Sequence, residues 1–174
     1  SRLFLVFLAF VVILYGAYVR LTDAGLGCPD WPGCYGKLVV SELDDPNFSF
    51  APGTDYGKAY REMVHRYLAG ILGLGILVLF IHYWVNESKR TLFSSETILL
   101  PMVLFQAFLG LLTVTMLLKP LIVTGHLIGG FMTLSLLWWS FLRNNFELAH
   151  EPSIPPFYRP FIIFCLAILS VQIF

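Results

Sequence analysis

Charge is what this chain has least of. Lys, Arg, Asp and Glu make up 13% of its 174 residues and cancel to a formal net charge of zero. No basic excess exists to hold nucleic acid, and no surplus of either sign favours an anionic surface. Cysteine is nearly missing too, with three in all, and no second close pair follows the first to complete a zinc site. There is no low-complexity tract. The first apolar run lacks the small-residue cleavage pattern of a signal peptide and is too long for one, so it is read as a true span.

Apolar side chains fill the space that charge leaves. They reach 57% of the sequence with a mean hydropathy of +0.77, far above a soluble domain. Crossing hydrocarbon as a helix takes about 20 such residues, and runs of that length fall near 3–19, 60–85, 97–118 and 121–142. A fifth begins near Pro160 and stops at Phe174; its 15 residues would rise only about 22 Å against a core of roughly 30 Å. The expected fold is all-α integral membrane: an antiparallel four-helix transmembrane bundle over 1–142 with a polar loop at 20–58. A linker at 143–159 and a truncated first span of a second half at 160–174 follow, the chain being cut mid-span. Arg2, Lys89, Arg90, Arg143 and Arg159 on one side balance Arg20, Lys37, Lys58, Arg61 and Lys119 on the other, so positive charge does not orient the bundle.

The scarce ionisable groups gather where they are costly. REMVHRYLA at 61–69 brings Arg61, Glu62, His65 and Arg66 to the entrance of the second span. His65 lies about six residues into that span and His126 about five into the fourth, both roughly 8–9 Å below the helix starts. Two imidazoles at one depth suit the axial positions of a haem iron. Two unrelated histidines satisfied by carbonyls or water are the plainer account. Glu62, three residues before His65, shares its helix face; it could orient the imidazole, take a proton or stabilise developing positive charge, or simply pair with Arg61 or Arg66. Arg20 and Arg66 could meet haem propionates or snorkel to the interface.

Other features leave alternatives open. Cys28 and Cys34 lie in the loop GLGCPDWPGCYG; a disulfide between them, structural or redox-active, would put that loop on the oxidising side. Ala69 with Gly73, and Gly125 with Gly129, have the spacing of close helix packing or of clearance for a flat ligand. Gln106 in mid-span must find a partner. His82 is about 25 Å along the helix from His65 and cannot serve the same site, and His150 falls in a polar loop.

GAYVRLTDAGLGCPDWPGCYG, EMVHRYLAG, QAFLGLLTV and TGHLIGG, in that order, resemble the motifs of the haem A synthase family of cytochrome oxidase assembly. Members are usually eight-span proteins of two similar four-helix halves, and this chain resembles the N-terminal half plus the start of the fifth span. The resemblance implies oxidation of a haem O methyl group to a formyl group through hydroxylated intermediates, giving haem A. It implies His65 and His126 as haem ligands, Glu62 as the catalytic carboxylate, Cys28 and Cys34 as a disulfide, and haem b in the missing half. The partners implied are haem O, the haem O synthase that supplies it, and a quinol or other electron donor; a homo-oligomer is left open. The membrane implied is the bacterial inner membrane or the mitochondrial inner membrane, with the loop at 20–58 on its outer side. Two other classes compete: a bis-histidine cytochrome b-like electron carrier, which gives Glu62 no chemistry, and a haem-free scaffold or transporter half with Glu62, Gln106 and Arg20 along a polar path.

Overall fold

The computed structural model describes residues 1–45, 47–87 and 91–145. Four long helices account for most of them: α1 (Arg2–Leu21), α2 (Tyr56–Asn86), α3 (Ser95–Thr115) and α4 (Pro120–Asn145), with a short 3-10 turn at Val40–Leu43. All four are long and apolar enough to cross a membrane. Among the described residues no extended strand forms. Ser1–Leu142 make one compact unit. The helix α4 runs on to Asn145, into the stretch expected as a linker; the rest of that stretch and the fifth run lie outside the described residues.

Helix ends differ from the apolar runs for local reasons. Asp55 caps α2, its carboxylate accepting the Lys58 N–H at 2.8 Å, so the helix starts at Tyr56 and not near 60. The other end of the offset is α3, which stops at Thr115. Leu117 and Leu118 take the left-handed conformation there, at φ 51° and 56°, and Pro120 then opens α4, where its missing N–H costs nothing.

Two apolar clusters divide the bundle by height. Leu5, Leu8 and Ala9 of α1 recur at helical spacing and pack with Leu72 and Ile76 of α2, Leu99 of α3 and Leu137 of α4, at the end away from the long loop. The second cluster belongs to that loop: Cys28, Cys34, Val40 and Leu43 close over Ala59 and Met63 of α2, flanked by Tyr35, Phe48, Phe50 and Tyr56. His65 lies on α2 between the two clusters. Large side chains such as Phe4, Phe7, Phe10, Leu74, Val78, Phe105, Trp138 and Trp139 point outward, as a lipid-facing surface requires.

The end away from the loop is fastened by a buried carboxylate. Glu96, 2% exposed, accepts from Ser140 of α4 at 2.8 Å and from Ser95 at 3.0 Å, and pairs with Arg2 of α1 at 3.3 Å. Next to it the Trp84 indole donates to Thr97 at 3.2 Å, tying α2 to α3. None of these contacts stands out in the sequence, where SSET reads as an ordinary capped helix start. Ser94 caps α3, accepting the Thr97 N–H at 3.2 Å.

Candidate haem site

His65 is held by shape. Its ring lies against α1 at Gly16, where a Cβ would stand 2.8 Å from the imidazole Cε1, closer than real side chains approach. His126 on α4 lies over Gly110 of α3 at ordinary contact distance, a Cβ there standing 3.6 Å from its Cε1. In both rings Nδ1 is shut off from solvent; that of His65 has no hydrogen-bond partner, and the backbone carbonyl of Gln106 lies by the His126 ring. The two imidazoles lie within Coulombic range of one another. Near them the Gln106 amide presses on Gly129, and its Nε2 also lacks a partner. Unpartnered polar atoms from α2 and α3 thus mark this part of the bundle.

Depths along the helices differ from the even 8–9 Å expected. With α2 beginning at Tyr56, His65 is about 13 Å from its helix start, while His126 is about 9 Å from the start of α4. The extra turn of α2 is the part that rises into the loop, where Ala59 is buried against the cysteines.

Glu62 and Arg66 point into the loop. The Glu62 carboxylate, 5% exposed, accepts the Cys28 N–H at 2.9 Å on Oε2 and pairs with Arg66 at 2.5 Å through Oε1. Arg66 then donates to the carbonyls of Asp30, Pro32 and Gly33. Gly27 permits this close approach: a Cβ there would stand 2.6 Å from the Lys58 carbonyl carbon. Cys28 and Cys34 are joined in a disulfide with Cα atoms 4.8 Å apart. Asp30 accepts the N–H groups of Tyr35 and Gly36 at 2.6 and 2.8 Å, which fixes the turn between the cysteines and Lys37. Below it Tyr67 of α2 donates to the Leu38 carbonyl at 2.7 Å.

The remaining sequence candidates scatter. Arg20 is exposed at the end of α1. Gly73 and Gly125 face open space, whereas Gly129 is a packing contact. His82 is exposed, its Nδ1 3.1 Å from the Asn86 amide nitrogen, and His150 lies outside the described residues. Gly16 and Gly110 were missed by sequence reasoning; only their contacts across helices distinguish them from other glycines in apolar runs.

The chain belongs to the COX15-CtaA family of cytochrome oxidase assembly proteins, which it matches over residues 2–174. It is 45% identical over 153 residues to the heme A synthase of Shewanella oneidensis, covering 83% of this chain and 44% of that protein. It is 30% identical over 173 residues to the heme A synthase of Shouchella clausii, covering 94% of this chain and 52% of the relative. The heme A synthase of Orientia tsutsugamushi is 26% identical over 149 residues, or 84% of this chain and 40% of the relative. The chain therefore spans about half the length of these curated relatives. No solved structure matches significantly.

Proposed function

We propose that this chain is the haem O-handling half of a haem A synthase, an oxidoreductase that converts a methyl substituent of haem O to a formyl group through hydroxylated intermediates. One observation carries the reading: two half-buried imidazoles from α2 and α4 lie within electrostatic reach of one another, His65 pressed against Gly16 with a buried Nδ1 that has no partner. A polar group left so costs about 1–3 kcal/mol, and ligation through an imidazole nitrogen gives the ring a partner. Among the described residues no three His, Cys, Asp or Glu converge on one point. Two imidazoles alone suit a metal whose other positions are filled by its own macrocycle. The porphyrin iron supplies the redox chemistry when bound.

The chain's own residues divide the remaining work. His65 and His126 would hold the metal, and Gly16 leaves room for the His65 ring. Glu62 stands one turn nearer the loop than His65 on the same helix. Its oxygens accept from Arg66 and Cys28, with the Gly27 N–H also directed at the carboxylate, and lone pairs remain. That leaves it able to stabilise positive charge on a substrate carbon or to take a proton at Oε1 or Oε2. The disulfide-bearing loop covers it from water and would lie on the outer side of the membrane.

A second reading, a bis-histidine electron carrier of the cytochrome b kind, is favoured by the engagement of both Glu62 oxygens with Arg66 and Cys28. Extraction of the haems from purified protein separates the two. Haem O or haem A, lost in both His65→Ala and His126→Ala, is the expected result. Haem b alone would support the carrier, and full haem content in both variants would overturn ligation by this pair.

A further inference from the structure

Deepening the haem reading and resting on it, we propose that Arg61, with Arg20, forms the subsite for the porphyrin carboxylates, Arg61 taking the place of the Arg66 that the sequence analysis pairs with Arg20. A haem carries its two propionates on one edge. Iron held at the imidazoles therefore needs cations to one side of them, with donors still free. Lys37 and Lys58 are committed, pairing with Glu42 and Asp23 at 3.0 Å each. Arg66 is committed most of all. It is bound to Glu62 and to three loop carbonyls, and its side chain is only 12% exposed.

Arg61 is different. It is half-buried, and its Nε is shut off from solvent without a partner. Its terminal nitrogens lie over Gly57, 3.5 and 3.9 Å from where a Cβ would stand, and the Asp55 carboxylate oxygen stands 3.1 Å from the same point, so the fork shares this space with one acidic side chain. The nearby Asp55 carboxylate accepts the Lys58 N–H instead and makes no ion pair with Arg61. Across the seam between α1 and α2 its neighbour is Tyr15, adjacent to the Gly16 that touches His65.

Helix geometry puts the two arginines at one height. Arg61 precedes His65 by one turn on α2. Arg20 follows Gly16 by one turn on α1, which runs the other way, and Gly16 is level with the His65 ring. Each guanidinium is thus rooted about 6 Å nearer the loop than the imidazole. Among the described residues neither side chain has a hydrogen bond or ion pair. A planar guanidinium fork matches a carboxylate in two parallel bonds, which a lysine cannot reproduce.

The test compares ferric protoporphyrin IX with its dimethyl ester, which has the same ring and iron but no propionate charge. Both are titrated into the purified protein in detergent, following the low-spin Soret band that His65→Ala abolishes. Wild type should favour the free acid. Arg61→Gln should weaken the acid by roughly tenfold and leave the ester unchanged, Arg61→Lys should recover part of the loss, and Arg66→Gln should keep the selectivity. Equal weakening of both porphyrins in Arg61→Gln, or no change in either, would overturn the subsite and return Arg61 to an interfacial cation. Absence of any His65-dependent band in wild type would sink the haem reading and this proposal together.

Discussion

Glu62 is the residue on which binding and catalysis separate. An anchoring group alters occupancy when changed, whereas one that stabilises charge or moves a proton alters turnover. Glu62→Gln keeps the shape and an acceptor for the Cys28 N–H but removes the charge facing Arg66. In the complete enzyme haem O should stay bound, and haem A should fall about a hundredfold or more, with haem O or its hydroxylated form accumulating in extracted-haem chromatograms. Normal haem A yield would return Glu62 to a structural ion pair. Gly16→Ala probes the other side of the site. The added methyl would crowd the His65 ring, so helix content should hold by circular dichroism while haem affinity drops about tenfold, as for other changes just outside a metal's ligands. His65, His126 and Glu62 stand out in the sequence because ionisable groups at membrane depth are rare. The Glu62–Arg66 pair was among the alternatives too, but the loop carbonyls that Arg66 meets were not, since a contact with the backbone of a distant loop has no side-chain pattern to announce it.

At the scale of elements, the loop between α1 and α2 behaves as a folded cap. Its own apolar cluster, the disulfide and the Arg66 contacts all fasten it to the first turns of α2. Arg66→Ala would leave Glu62 buried without its counter-charge, at a cost of order 3 kcal/mol, and residues 28–36 should become the first site of limited proteolysis. The sidedness of the cap is open to direct labelling: a membrane-impermeant maleimide should reach Cys28 and Cys34 in intact spheroplasts only after mild reduction, and labelling that required lysis would reverse the topology. A further tie, Lys58 to Asp23, holds the Asp23 carboxyl below its ordinary value of 3.8. A depressed acid stabilises the fold above the unfolded-state value and loses that effect as pH falls through the lower one. This tie therefore stays constant near neutrality and releases only in acid. The four spans were readable from hydropathy, yet the early start of α2 was not, because its first turn is stabilised by loop contacts and a cap and not by lipid.

For the whole molecule, polar fastenings lie at the two ends. Glu62 secures the loop end, and Glu96, with Arg2, Ser95 and Ser140, joins α1, α3 and α4 at the other. Glu96→Ala would strand the half-buried Arg2 charge and the Ser140 hydroxyl, and a loss of about 3–5 kcal/mol is expected, read as a lower thermal midpoint in detergent. Between these fastenings the described residues at the imidazole level meet mainly by packing, a ring against Gly16 and an amide against Gly129, with no ion pair among them. The bundle resembles a cask hooped at top and bottom. On the proposed function, a rigid flat guest would enter at this middle level, where packing and not ion pairs joins the staves, and both rims would keep their form.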